Sequence, residues 1–210
     1  IEFPYHLYAH DVAYTPNLLK DEIDYFNPQK NPYLKSNPYV LFLAYSGSKL
    51  VGRAMGLINL EANKIRNESM ARFAWLDTEE NPRVFEALLK KLEEFAKLHH
   101  CLSLTGPRGF SDQEPQGALV EGFQHLNSIG TIYTRPFFDL WMHDFGYRKE
   151  VDWVSYQFPL RRDLPFPCED YHQIQTKFGT ATLAKIHSKK DLKKYLIPVF
   201  ECLNETYAKP

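Results

Sequence analysis

The pattern of apolar and polar positions changes at residue 40. The preceding segment, residues 3–39, contains many aromatic residues and repeated prolines, which block interior helix positions, so only short covering helices and turns are predicted. From Val40 a continuous apolar run reaches Tyr45, breaks at a Ser-Gly-Ser turn and resumes at Leu50. The pattern predicts a hairpin of two central strands, the second continuing to Leu60.

A long amphipathic helix is the clearest element that follows. Asn81 is a typical N-cap residue and Pro82 suits the first helical position. A third strand is predicted before it, at Met70–Leu76, and a fourth after it, at Cys101–Thr105. The helix is predicted to cover one face of the sheet with residues at helical spacing, which are Val84, Phe85, Leu88, Leu89, Leu92, Phe95 and Ala96.

A loop rich in glycine and proline follows the fourth strand, over residues 106–123. Ligands bind beyond the carboxyl ends of strands in α/β sheets, so this loop is the predicted location of a site. A short helix at Pro136–Phe145 and a last pair of strands within Val151–Phe158 complete the predicted domain, which we place at residues 1–162. Residues 163–210 are predicted to be a linker and the start of a second, incomplete unit, with strand material at Tyr171–Ile186 and an amphipathic helix over Leu192–Tyr207. Lysines at the start of a helix oppose its dipole, so this helix begins after Asp191, or the basic surface meets an acidic group or is simply solvated.

Composition excludes several classes of function. The formal net charge is −1, so there is no electrostatic argument for nucleic-acid binding. The chain has no apolar run of the ~20 residues that span a bilayer, and no membrane partner is predicted. The odd number of distant cysteines, 3, favours reduced thiols and a cytoplasmic protein, and no residue spacing indicates a metal site.

Six short segments, taken with this order of elements, carry a resemblance to a known family, and they are Phe3–Tyr8, Lys30–Tyr33, Val51–Arg53, Gly106–Pro107, Phe110–Ser111 and Gly117–Phe123. They resemble the GNAT superfamily of N-acyltransferases, and more closely a bacterial branch of tandem acyltransferase-like proteins, over about Phe3 to Phe158. The resemblance implies an α+β fold of three layers, with a mixed, mostly antiparallel central sheet flanked by helices and a first strand before Phe3. It also implies that residues 163–210 are a linker and the start of a second, truncated acyltransferase-like domain.

The resemblance also implies a reaction in which a small-molecule amine attacks an acyl thioester directly. The donor, usually acetyl-CoA, or another acyl-CoA, would lie between two splayed strands, here Met70–Leu76 and Cys101–Thr105, with Ala74, Trp75, Leu76 and Arg83 as donor-binding residues. The chain departs from the superfamily at the pyrophosphate loop. Asp77–Arg83 has no glycine and includes Glu79 and Glu80, which repel phosphate.

Five other residues are candidates for the site, and each has a structural alternative. Tyr133 is the candidate acid for the leaving thiolate, although a tyrosine in so aromatic a chain is usually a packing residue. Glu121 would be a base with a raised pKa if buried, and otherwise a loop-bracing carboxylate. Arg108, Phe110 and Ser111 in the glycine loop are candidate substrate-binding residues, or structural ones.

Three functions therefore stay open from the sequence. The first is an acyltransferase that uses an acyl-CoA or a carrier-bound acyl group. The second is a binding module with this fold and no chemistry, which the atypical phosphate loop favours. The third is a structural domain that forms a homodimer or packs against the missing second domain.

Overall fold

The computed structural model describes residues 1–159, 177 and 184–207. Contacts divide the chain into two units, Ile1–Asp152 and Trp153–Pro210. The predicted domain boundary at residue 162 and nearly all of the predicted strand Tyr171–Ile186 lie outside the described residues, so they stay predictions.

The first unit contains a four-stranded sheet in the order β1-β2-β3-β4. β1 pairs with β2 and β2 with β3 in antiparallel fashion, whereas β3 and β4 are parallel. This confirms the predicted α+β fold with a mixed, mostly antiparallel sheet. The strands are β1 (Tyr39–Ser46), β2 (Lys49–Leu57), β3 (Met70–Thr78) and β4 (Ser103–Thr105).

Six helices of this unit accompany the sheet. The first three form the predicted helix and loop cover, and the fifth is the predicted amphipathic helix, capped by the Asn81 side chain, which accepts a hydrogen bond from the Arg83 N–H. The helices are α1 (Phe3–Leu7), α2 (Leu19–Tyr25), α3 (Pro32–Ser36), α4 (Leu60–Arg66), α5 (Pro82–Leu98) and α6 (Phe137–Asp144).

Two glycines of β2 bring α5 close to the sheet. A Cβ atom at Gly56 would lie 2.9 Å from Phe95 Cδ1, and one at Gly52 would lie 3.0 Å from Leu88 Cδ1. Between these two glycines the β2–β3 register also shifts, from Arg53 to Met55, so the strand combines a close helix approach with an irregularity. The main core lies between this helix and the sheet and includes Phe73 and Phe85.

Three strand predictions were wrong. β1 is an edge strand of the described sheet rather than a central one, since it pairs with β2 alone. Its apolar residues divide between a face packed on α5 and an exposed face with Leu41 and Leu43. β2 ends at Leu57 instead of Leu60, because the Asn59 side chain caps α4. Residues 151–158 form no strand.

The second unit is described mainly by one helix, α7 (Lys189–Tyr207). It begins at Lys189, so the alternative of a start after Asp191 is wrong, because Ser188 caps the helix: the Ser188 hydroxyl accepts from the Asp191 N–H at 3.2 Å. None of the described helices is both long and apolar enough to cross a membrane.

Candidate functional site

β3 and β4 separate soon after they pair. β4 pairs with β3 only over Met70–Arg72, whereas β3 continues to Thr78. The chain leaving β4 makes one further bond to β3, from the Arg108 N–H to the Phe73 carbonyl at 2.8 Å. Trp75 then has a positive φ of 48°, within an irregular stretch of the β2–β3 register. The two parallel strands thus leave a gap at the carboxyl end of β4.

A cavity of about 330 Å³ includes this part of β3 in its wall. Volumes of this order are typical of small-molecule sites. Its other walls come from the α1–α2 segment, from Arg53 on β2, from the glycine loop and from residues 127–134. Six of the lining residues are aromatic, and they are Tyr5, Tyr8, Tyr14, Tyr25, Trp75 and Tyr133.

An acidic cluster occupies one wall of the cavity. Arg53 Nε donates to Asp77 Oδ2 at 2.7 Å, and Arg53 Nη1 lies 4.0 Å from Glu22 Oε2. All three side chains are almost completely buried, with 10%, 12% and 9% exposed for Arg53, Asp77 and Glu22. Two carboxylates and one guanidinium give the cluster a formal charge of −1.

One carboxylate oxygen of this cluster has no hydrogen-bond partner. Glu22 Oε1 accepts from Asn17 Nδ2 at 2.9 Å, but Glu22 Oε2 accepts from no group among the described residues. The 4.0 Å distance to Arg53 is too long for a hydrogen bond. A buried, unpartnered carboxylate oxygen is costly, and such groups concentrate at functional sites.

A tyrosine network connects the cluster to the predicted acid Tyr133. The Tyr8 hydroxyl donates to Asp77 Oδ1 at 2.9 Å, and the rings of Tyr8 and Tyr133 lie edge to face at 5.3 Å. Burial, followed by the charge of Asp77, raises the pKa of Tyr8 well above its usual value. Burial, then Asp11, raises the pKa of Tyr133, whose hydroxyl donates to Asp11 at 3.4 Å. Both phenols are therefore protonated near neutral pH.

Arg135 holds the segment that carries Tyr133 against the N-terminal cover. Its Nε donates to Asp11 Oδ2 at 2.9 Å and its Nη2 to the Leu7 carbonyl at 2.7 Å. Its guanidinium also lies 5.4 Å from the centre of the Tyr8 ring, a cation–π distance. These contacts link residues more than a hundred positions apart and attach the segment that carries Tyr133 to the N-terminal cover.

A further carboxyl, that of Glu114, lies in the cavity wall on the glycine loop. The Tyr25 hydroxyl donates to it at 2.7 Å and the Phe110 N–H at 3.1 Å. Arg72 braces the same loop through Nη1, which donates to the carbonyls of Gly109 and Phe110 at 3.0 and 2.9 Å. Burial lowers the pKa of Arg72 to about 10 and raises the pKa of Glu114 above its usual range.

We expect Glu114→Gln to change the pH dependence of stability. A carboxyl whose pKa is raised by folding holds its proton more tightly in the folded state, so its contribution to stability is lost as the pH rises through that pKa. Glutamine does not titrate. Between pH ~4 and ~7 the free energy of unfolding of the variant should therefore rise relative to wild type. Urea titrations at several pH values measure this difference. The exposed Glu61→Gln should show no such trend, and a Glu114→Gln difference that fell with pH would contradict the assignment.

Some of the predicted site residues line the cavity and the others do not. Ala74, Trp75, Leu76 and Tyr133 all line the cavity. Phe110 is buried and stacks on Tyr33 at 5.3 Å, a packing role. The remaining predicted residues also lie outside the cavity lining, and they are Arg83, Arg108, Ser111 and Glu121. Glu121 is exposed, so it does not have the burial on which its predicted role as a base depended.

The start of α5 offers a poor cradle for a pyrophosphate. Pro82 has no N–H, and the Arg83 N–H is already bonded to the Asn81 side chain at 3.1 Å. Just before the helix, Glu79 forms an ion pair with Lys49. Arg83 itself is exposed. The residues at this helix end therefore do not fit the pyrophosphate group of an acyl-CoA.

Sequence reasoning missed the acidic cluster and Tyr8. Glu22 belongs to the segment interpreted as a cover, and Asp77 was considered only as part of the helix start. Arg53 was noted only as part of a family-like segment. The signal available was the charge of Arg53 within an otherwise apolar strand, since a charged residue buried in a strand needs a partner.

Two proteins show sequence similarity to this chain. It is 27% identical over 170 residues to a protein named bacterial ceramide synthase from Caulobacter vibrioides (strain NA1000 / CB15N), and 25% identical over 166 residues to Protein YghO from Escherichia coli (strain K12). Both alignments cover 79% of this chain but only 43% and 42% of the respective relatives, so the chain spans less than half of their length. No protein-family model and no solved structure matches the chain.

Proposed function

We propose that this chain carries an acyl-transfer site and that the acceptor is an amine. The observation that carries the proposal is the cavity beside the separating strands β3 and β4, which combines aromatic walls with a buried acidic cluster. Similarity to a protein named ceramide synthase supports the acyltransferase class. Ceramide is an amide of a fatty acid and a long-chain amino alcohol, so the name agrees with an amine acceptor and an apolar acyl group.

The proposed donor is a thioester. The amine nitrogen attacks the thioester carbonyl carbon, the new C–N bond replaces the C–S bond, and the proton lost by nitrogen ends on the departing sulfur. Tyr133, which lines the cavity and is kept protonated by its raised pKa, is the proposed relay: its hydroxyl proton goes to the sulfur, and the proton lost by nitrogen restores the phenol. The products are an amide and a free thiol.

Two kinds of thioester are candidate donors, an acyl group on a carrier protein and an acyl-CoA. The start of α5 lacks a phosphate cradle, which favours a donor whose phosphate is bound elsewhere, as in an acyl group on a carrier protein. An acyl-CoA bound through its acyl chain and thioester alone is the alternative. Parallel assays with both donors distinguish the two.

An acylation assay tests the proposal. The chain is incubated with sphinganine as the amine and with palmitoyl-CoA or palmitoylated carrier protein, and amide and thiol are measured together by mass spectrometry and a thiol reagent. We expect equal amounts of both products. Tyr133→Phe should lower kcat by about 100-fold, within the range for a general acid. Tyr45→Phe, an exposed tyrosine on β1, is the matched control.

A second function is favoured by one specific observation. The missing phosphate cradle suits a binding module that holds an amphiphilic ligand without chemistry. Saturable binding of sphinganine with no amide from either donor would favour this module over the transferase.

A further inference from the structure

We infer that the cavity is a receptor for a cationic amine and that Glu22 binds the ammonium group and accepts its proton. The inference rests on the proposed function and names the group that handles the acceptor. The free oxygen of Glu22 is its starting point, because Glu22 is only 7% exposed and its Oε2 has no hydrogen-bond donor among the described residues.

The charges around the cavity select a cation. Four carboxyl residues line it, whereas Arg53 is the sole Lys or Arg in that lining. The guanidinium of Arg53 is already committed to Asp77 through a 2.7 Å bond, so it does not neutralise Glu22 by a hydrogen bond. A ligand ammonium brings three donors and one positive charge, which matches both the unfilled oxygen and the net charge of the cluster. The four carboxyl residues are Asp21, Glu22, Asp77 and Glu114.

The remaining walls select an amine attached to an apolar body. Six aromatic residues belong to the lining, and the faces of aromatic rings attract cations as well as hydrocarbon. A phosphate-bearing group would meet the acidic wall at the cost of charge repulsion. The cavity therefore fits the acceptor amine, and the phosphates of a donor are excluded from it.

The chemical step assigned to Glu22 is a proton transfer. An ammonium has no lone pair and cannot attack a carbonyl. One N–H bond of the ammonium breaks and an O–H bond forms on the Glu22 carboxylate, which leaves a neutral amine and a neutral carboxylic acid. After the amide forms, Glu22 loses this proton to solvent, so the complete reaction consumes an ammonium and a thioester and yields an amide, a thiol and one free proton.

Binding in the absence of any acyl donor tests the receptor separately from the transferase. The probes are octylammonium and its neutral analogue octan-1-ol, titrated calorimetrically into the whole chain at neutral pH. We expect wild type to bind octylammonium at least tenfold more tightly than the alcohol. Glu22→Gln should bring the two affinities within about twofold, with the alcohol unchanged, whereas the exposed Glu61→Gln should behave as wild type.

Equal affinities of wild type for the two probes would overturn the inference, and this result needs no variant to fold. Retention of the full preference in a folded Glu22→Gln protein would also overturn it. Either result is compatible with acyl transfer, while successful ammonium binding without any amide product would remove the proposed function alone.

The proton transfer has its own readout if amide formation is observed. Without a carboxylate to take the proton, the Glu22→Gln variant must bind the small fraction of amine that is already neutral in solution. Its kcat/KM should rise about tenfold per pH unit toward the pKa of the amine, in contrast to a flatter wild-type profile. Parallel profiles for the two proteins would exclude Glu22 as the proton acceptor.

Discussion

Replacing Arg53 with methionine is expected to lower the free energy of unfolding by about 3–5 kcal/mol. Arg53 is the cation between two buried carboxylates, with a 2.7 Å bond to Asp77 and a 4.0 Å approach to Glu22. Methionine fills similar space but leaves both negative charges in a poorly hydrated site. Chemical denaturation measures the loss.

Two further variants make the Arg53 result specific. Arg66→Met removes an exposed arginine and should change stability by no more than about 0.5 kcal/mol. Adding Glu22→Gln to Arg53→Met should recover part of the loss, because one of the two uncompensated charges disappears. A loss below about 1 kcal/mol for Arg53→Met, or no recovery in the double variant, would contradict the buried-cluster assignment.

Phe85→Ala is expected to cost about 3–5 kcal/mol of unfolding free energy. Phe85 is fully buried on α5, and its ring contacts three aromatic rings at and after α6. The ring centroids of Phe138, Trp141 and Phe145 lie 5.2, 5.5 and 6.2 Å from it. Truncation would open a space where α5 and α6 meet, because no neighbouring element is free to fill it.

The matched control for Phe85 is an exposed apolar residue of α6. Leu140 on α6 is 63% exposed, so Leu140→Ala should cost less than about 1 kcal/mol. Comparable losses for the two variants in urea denaturation would mean that α6 is not held through Phe85.

The sheet and its main helix were predictable because each has a strong local signal. Asn81 and Pro82 mark the start of α5, and the apolar spacing from Phe85 onward fits a single buried face, which the structure confirms. The edge position of β1 was not predictable, because a continuous apolar run is typical of a central strand. Whether a strand has a neighbour on each side depends on the whole sheet, and the apolar run of one strand does not specify this.

The candidate site was only partly predictable for a similar reason. Trp75, which the resemblance implied as a donor-binding residue, and Tyr133, the candidate acid, both line the cavity. Glu22, Arg53 and Asp77 come from three separate segments, and nothing in their local sequence indicates that they meet. The site depends on long-range packing of the N-terminal cover on β2 and β3, which a pattern of apolar positions does not specify.

The way the N-terminal cover is attached has a consequence for amide hydrogen exchange. The cover is anchored by polar bonds such as Tyr8 to Asp77 and Arg135 to Asp11, whereas β2 is buried nearly throughout and paired on both sides. Among the residues of α1 and α2, only Phe3, Pro4 and Glu22 are buried, and regions with few buried residues open without global unfolding. Amides of α1 and α2 should then exchange by local opening, whereas those of β2 should exchange only when the whole first unit unfolds. Such opening would expose the cavity from the side of the cover and give an apolar ligand a route in that leaves the sheet intact.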